Sequence, residues 1–276
     1  MDTPLGLGKQ SRQRLSELLR RTKGTVSVEQ ASDILDLSST ETAKLLARWA
    51  TQGWLARVRR GLYVPVPLEA RSTQVALEDP WIIADRLFSP CYIGGWSAAE
   101  HWGLTEQIFR SVLVMSVKKP RDRRPVIKGT PFVVRSISKR ALFGTRSVWR
   151  GEVKVDVSDP SKTVLDMMAD VSLGGGLRPS ADVLQSYLAS DEKDVDVLVT
   201  YTDRLKNGAA VKRLGYLLER LAPSEERLIE ACKKRLTKGN IKLDPALSAA
   251  RLVTAWRLWV PESWATSHKS EKGQHR

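Results

Sequence analysis

The stretch from Lys9 to Val66 ends in Gly53-Trp54-Leu55-Ala56-Arg57-Val58-Arg59-Arg60-Gly61-Leu62-Tyr63-Val64, and that ending constrains the fold more than any other part of the chain. Two short apolar runs close on Arg59-Arg60-Gly61, the pattern of a β-hairpin. Three helix-like segments come directly before it. Helices followed by a hairpin with arginines at its tip predict a winged helix-turn-helix, a fold that meets DNA.

The three segments carry the expected signals. Gln10 to Arg21 places Leu15, Leu18 and Leu19 at i, i+3 and i+4, with a basic opposite face. Thr25-Val26-Ser27 is β-branched and leads into a helix over 28–35, with Ser27 as N-cap and Gln30 at the N3 position. Asp36-Leu37-Ser38 makes a turn, and Ser39 is assigned as the cap of a third helix running to about Gln52, closed by Gly53. In that helix Ala43, Leu46, Ala47 and Ala50 share one face, and Glu41, Lys44, Arg48 and Gln52 the other.

The third helix has the chemistry of a recognition helix. Ser38, Ser39 and Thr40 offer hydroxyl and backbone N–H groups to a phosphate. Lys44 and Arg48 lie one turn apart, and an arginine can take guanine bidentately. Arg57, Arg59 and Arg60 on the wing then fall over the flanking backbone or in the minor groove.

Composition agrees with a polyanionic partner. The chain has 276 residues and a formal net charge of +14, room for two packed domains and a strong bias towards phosphates. Residues 1–63 hold 11 Lys/Arg against 6 acids, residues 64–155 hold 15 against 8, and residues 156–276 hold 19 against 17, so the basic surface is concentrated in the first 155 residues. Two cysteines, no leader-like start and no apolar run of membrane-spanning length predict a soluble, cytoplasmic protein.

A linker with Pro65, Pro67 and the polar run Arg71-Ser72-Thr73-Gln74 then precedes a helix opened by Asp79-Pro80. In Gly94-Gly95-Trp96-Ser97-Ala98-Ala99-Glu100-His101-Trp102, Ser97 and Glu100 read as the capping box of a short helix. Strands are expected at 111–117, 130–136 and 148–155. A helix follows Asp159-Pro160, residues 180–235 are helical in several pieces with Pro223 in a first turn, and the tail after Pro261 is polar and expected to be disordered.

Several of these segments resemble one family. Leu55-Ala56-Arg57-Val58-Arg59-Arg60-Gly61-Leu62-Tyr63, Asp79-Pro80-Trp81, the run from Tyr92 to Trp102, Leu142-Phe143-Gly144 with Val148-Trp149, and Val157 to Thr163 are similar, in order, to the AbiEi-type antitoxins and transcriptional regulators of bacterial type IV toxin–antitoxin systems. The resemblance implies an α+β protein: an N-terminal winged helix-turn-helix (9–67), a larger mixed α/β antitoxin domain with a helical C-terminal part (76–260) and a tail (261–276). It implies promoter DNA with inverted repeats as partner, autorepression, and a nucleotidyltransferase-like toxin counteracted without a stable complex. The DNA-binding role carries onto Ser39, Thr40, Lys44, Arg48, Arg57, Arg59 and Arg60, and no catalytic residue is implied. One reading head on inverted repeats suggests two copies on DNA, although no coiled-coil seam is visible.

Other residue groups hint at further chemistry, and most have plainer readings. Residues 118–151 hold eleven Lys/Arg and one acid, Asp122; Lys118, Lys119, Arg121, Arg123 and Arg124 mark either a second nucleic-acid-facing surface or a solvated face. Glu152-Val153-Lys154 has the shape of half a metal-dependent nuclease site, but the neighbouring strands carry no further acid. His101 reads as a structural residue beside Trp96 and Trp102, Gly174-Gly175-Gly176 as a helix-ending cap, and Asp191, Glu192, Asp194 and Asp196 as a solvated helix start. A non-enzymatic protein without metal or cofactor is therefore expected. The alternative is a winged-helix transcription factor whose second domain senses a ligand or partner, with no toxin.

Overall fold

The structure, a computed structural model, describes residues 8–22, 25–66, 79–127, 129–151 and 153–265. Residues 67–78 of the expected linker and 266–276 of the expected tail lie outside them, whereas Pro65 ends a strand and Glu262–Ala265, in the segment expected to be disordered, form a short helix.

The N-terminal module is α1 (Lys9–Arg21), β1 (Val26–Ser27), α2 (Val28–Leu35), α3 (Ser39–Thr51), β2 (Leu55–Arg59) and β3 (Leu62–Pro65). The strands form an antiparallel sheet of order β1-β3-β2. Serine fixes both inner helix starts. Ser27 Oγ accepts from Gln30 N at 3.1 Å while Ser27 N donates to the Gln30 side chain. Ser38 and Glu41 repeat the arrangement at α3. The cap is therefore Ser38, one residue before the one expected, because Glu41 sits at N3 only from there.

Leu15, Leu18, Val26, Ala31, Leu46, Trp49, Leu55 and Tyr63 form the core of this module. Complete burial of Leu18 and Leu46 contributes roughly 1.5–3 kcal/mol each. The inward face of α3 is Thr42, Leu46 and Trp49, with Ala47 exposed and Gln52 half-buried. The expected alanine face is thus rotated: the large apolar area of Trp49 outweighs two methyl groups in setting which side turns inward. Gly53 and Gly61 adopt φ near 81°, closing α3 and the hairpin turn where other residues are strained.

The remaining chain forms α4 (Pro80–Phe88), β4 (Cys91–Ile93), α5 (Gly95–His101), β5 (Val112–Ser116), β6 (Val126–Ile127), β7 (Thr130–Ser136), β8 (Thr145–Arg150), β9 (Val153–Ser158), α6 (Pro160–Ala169), α7 (Leu177–Ala189), α8 (Val195–Leu205), α9 (Gly208–Leu221), α10 (Glu226–Lys234), β10 (Ile241–Lys242), β11 (Arg251–Val253), β12 (Leu258–Val260) and α11 (Glu262–Ala265). The chain as a whole, N-terminal module included, divides into two compact units that do not follow chain order: 1–92, 110–136 and 147–156 in one, 93–109, 137–146 and 157–276 in the other.

A six-stranded sheet has the strand order β6-β7-β5-β4-β9-β8. β5 and β7 run parallel in register from Val112↔Phe132 to Ser116↔Ser136, and their central residues Leu113, Val114, Phe132 and Val134 are buried. Asp79 accepts from Trp81 N at 2.8 Å and Pro80 occupies the first turn of α4, as its sequence requires. The single strand expected at 148–155 is instead two, β8 and β9, parted at Gly151 with φ 57°.

The second unit is built on two buried helices. Every residue of α6 from Pro160 to Met168, and of α9 from Ala210 to Leu218, is buried. Arg213 on α9 donates to the carbonyls of Met168 and Ala169 at the end of α6, and to those of Lys242 and Leu243. A small sheet of order β10-β12-β11, which the sequence does not announce, follows the helices. Ser97 lies buried inside α5 instead of capping it; Gly94 is the N-cap and Gly95 takes φ 51°, so the helix starts before the hydroxyl. Pro223 sits in the turn between α9 and α10, since α10 begins only at Glu226.

Candidate nucleic-acid interface

On α3 the exposed side chains include Ser39, Thr40, Glu41, Lys44 and Arg48, so four of the seven residues expected to meet DNA share one solvent-facing helix surface. The Ser39 and Thr40 hydroxyls have no hydrogen-bond partner among the described residues. Ser38 Oγ, by contrast, is taken up by Glu41 at 2.6 Å. Those two Ser38 hydrogen bonds, side-chain first, hold the Glu41 carboxyl below its ordinary range, with Lys44 and Arg14 adding to the effect. Arg14 on α1 thus approaches the start of α3. Sequence reasoning missed it, because the two residues are far apart in the chain and only the fold brings them close.

The wing places Arg57 and Arg60 in solvent. Arg59 ends β2 opposite Leu62, and its side chain lies outside what the structure describes. The β2–β3 register shifts between Arg57 and Arg59, a bulge that bends the hairpin. Gly61 O accepts from Val28 N at 3.1 Å, so the wing tip is fastened to the first residue of α2.

The basic segment 118–151 separates into two kinds of residue. Lys118, Lys119, Arg121, Arg123 and Arg124 are all exposed on the loop between β5 and β6. That loop is pinned by its backbone: Lys118 N donates to Ser116 Oγ (3.0 Å), and Val134 N to Arg123 O (2.9 Å). Its one acid, Asp122, accepts from Arg124 N at 2.8 Å. Arg146 and Arg150 are committed elsewhere. Arg146 pairs with Glu192 at 2.8 Å and lies over Trp102, while Arg150 lies 4.0 Å from the Trp81 ring centre and 3.5 Å from Asp79. Lys128 is outside the described residues.

Of the other candidates, those described have partners within the protein. Glu152 lies outside the described residues; Lys154 is exposed above the Trp149 ring at 4.9 Å. His101 is exposed and meets Trp102 edge-on at 4.6 Å, whereas Trp96 stacks on Phe109. The glycine run ends at α7, whose first amide, Leu177 N, donates to Asp244 at 3.1 Å, so a protein carboxylate occupies the place a phosphate would take. Asp194 caps α8, while Glu192 and Asp196 pair with Arg146 and Arg227. Burial lifts both thiols, Cys91 and Cys232, to about 12. Among the described residues no three His, Cys, Asp or Glu side chains gather as metal ligands, and no helix is long and apolar enough to cross a membrane.

Comparison with known proteins bears on the two parts of the chain differently. Residues 13–66 match the family model described as "Transcriptional regulator, AbiEi antitoxin". The chain is similar in fold to the crystal structure of the RV2827C protein from Mycobacterium tuberculosis, at a TM-score of 0.62 and 16% identity over 94% of each chain. No curated protein matches the sequence.

Proposed function

We propose that this chain, whose residues 13–66 match the AbiEi antitoxin family of transcriptional regulators, is the DNA-binding antitoxin of a type IV toxin–antitoxin system. The observation that carries the reading is the joint exposure of Lys44 and Arg48 on α3 and of Arg57 and Arg60 on the wing, within the matched module. In this reading α3 enters the major groove, with Lys44 and Arg48 at base edges and Ser39 and Thr40 on phosphate. The wing arginines, Arg59 included, hold the flanking backbone. Two copies occupy an inverted repeat in the chain's own promoter and repress it.

The remainder of the chain, 76–260, counteracts a nucleotidyltransferase-like toxin without chemistry of its own. The loop carrying Lys118, Lys119, Arg121, Arg123 and Arg124 supplies a second surface for nucleic acid, since its cations project from an anchored backbone with one acid among them.

The reading is tested by footprinting the full-length protein on its native promoter, and by expressing it beside a neighbouring nucleotidyltransferase gene. Protection of an inverted repeat and rescue of growth are expected. A protein that protects no promoter sequence and rescues no toxicity overturns it; promoter binding without rescue leaves a winged-helix regulator and removes the antitoxin.

A further inference from the structure

We propose that the cleft bounded by α7, the end of α9, β11 and α11 binds a small organic anion with a flat apolar body. The inference goes beyond the DNA-binding and antitoxin reading and does not depend on it. The cleft encloses about 910 Å³, within the size of small-molecule sites, and lies wholly in the second unit.

Its charge is the first argument. Arg178, Arg220 and Arg251 line it together with two carboxylates, Asp182 and Glu219. Both carboxylates are engaged. Asp182 is 3.5 Å from Arg178 one helical turn away, and Glu219 accepts from Trp256 Nε1 at 2.7 Å with Lys233 at 3.8 Å. Arg251 is exposed and has no ion pair among the described residues. A guanidinium left without a carboxylate, beside acids already neutralised, gives the cleft a positive field and a planar fork suited to a carboxylate or phosphate.

Its walls are the second argument. The Tyr216 hydroxyl donates to the Trp264 carbonyl, which fastens α11 against α9 and fixes one side. Arg220 lies 5.6 Å from the centre of the Tyr216 ring and hydrogen-bonds to the phenol, so its guanidinium is held rather than mobile. Leu252 and Trp264, half-buried on adjoining walls, offer apolar surface to the body of a ligand whose acid group meets Arg251. A cleft with some apolar lining and a few polar or charged groups to orient the ligand is the general composition of small-molecule sites.

The test uses the intact protein and four probes: salicylate and adenosine monophosphate as flat anions, inorganic phosphate as a bare anion, and salicylamide as a neutral ring. Calorimetry should show saturable binding of salicylate or adenosine monophosphate at one per chain, with inorganic phosphate and salicylamide at least about tenfold weaker. The acid group's source is read from which of the two flat anions binds. Arg251→Ala, at a solvent-facing side chain whose loss leaves the melting temperature in place, should weaken that binding about tenfold or more. Absence of saturable binding up to about 10 mM, equal affinity for inorganic phosphate, or unchanged affinity in Arg251→Ala each overturns the proposal. Promoter footprints are scored separately, so either reading can fail while the other stands.

Discussion

Gly215 sits directly under the Trp256 indole, so close that a methyl group at 215 would overlap the six-membered ring. Both residues are buried, in a core where α9 meets the C-terminal sheet, and the indole is fixed at its other end by its hydrogen bond to Glu219. Gly215→Ala should therefore destabilise the fold by about 1–3 kcal/mol through overpacking, despite the better helix propensity of alanine. Chemical denaturation monitored by tryptophan fluorescence reads this directly, and a stabilised variant would contradict the packing described.

Arg213 is the second point of high sensitivity in the same unit. Its guanidinium serves four backbone carbonyls from one side chain, and burial lowers its pKa, with Asp170 and Asp244 opposing. Arg213→Met leaves those carbonyls without a donor and should cost at least about 2 kcal/mol. Arg213→Lys should recover little, because a single ammonium cannot span the same fan of acceptors. Full recovery by lysine would show that charge alone matters.

At the start of α3 the serines have separable roles. Ser38→Ala removes the capping box and should cost about 0.5–2 kcal/mol of stability. Ser39→Ala should leave stability within about 0.5 kcal/mol while weakening promoter binding. Thermal melts and binding isotherms on the pair distinguish helix capping from phosphate binding; equal melting losses in both would refute the assignment of Ser38 as cap.

In the proposed reading, α3 and the wing predict different signatures on DNA. Joint replacement of Arg59 and Arg60 by Ala should weaken binding to every sequence. It should also reduce the slope of log K against log salt by about one for each phosphate no longer neutralised. Arg48→Ala should cost about 1–3 kcal/mol on the operator and much less on unrelated DNA. A uniform loss across sequences would make Arg48 a phosphate-binding residue.

Both thiols retain their protons to about 12, against 9.0 for a solvated cysteine, because burial disfavours the thiolate. The folded chain holds these protons more tightly than the unfolded chain. The stability they add is complete below pH 9 and is lost as pH rises towards 12. Neither Cys91 nor Cys232 should react with a disulfide reagent at about pH 8 in the native protein, and both should react promptly in denaturant; fast native labelling would count against the buried placement.

Local chemistry made part of this architecture legible in advance. Ser27 with Gln30, Asp79 before Pro80 and Asp159 before Pro160 each announce a helix start through a side chain that must satisfy nearby backbone N–H groups, and the fold uses all three. The hairpin at Gly61 is of the same kind. What escaped depends on partners distant in sequence. The rotation of α3 is set by Trp49 packing into a core assembled from other elements, and β10 to β12 are too short to alternate visibly. Arg14 beside Glu41, and Asp244 at the start of α7, are neighbours that no local window contains. Exposure sorted the basic segment as well, since Arg146 and Arg150 look identical to Arg121 until their aromatic and acidic partners are seen.

The pairing of β4 with β9 has a consequence for how this protein is made. Ile93 lies opposite Val157, and all three residues of β4 are buried. During translation at about 5–20 residues per second, β4 leaves the ribosome several seconds before the strand that completes it. For that interval a fully apolar strand has one flank without its mate, so the nascent chain passes through a window in which chaperone capture competes with self-association. A slower codon run after Ser158 would shorten nothing for β4, whereas one between β4 and β9 would lengthen its exposure.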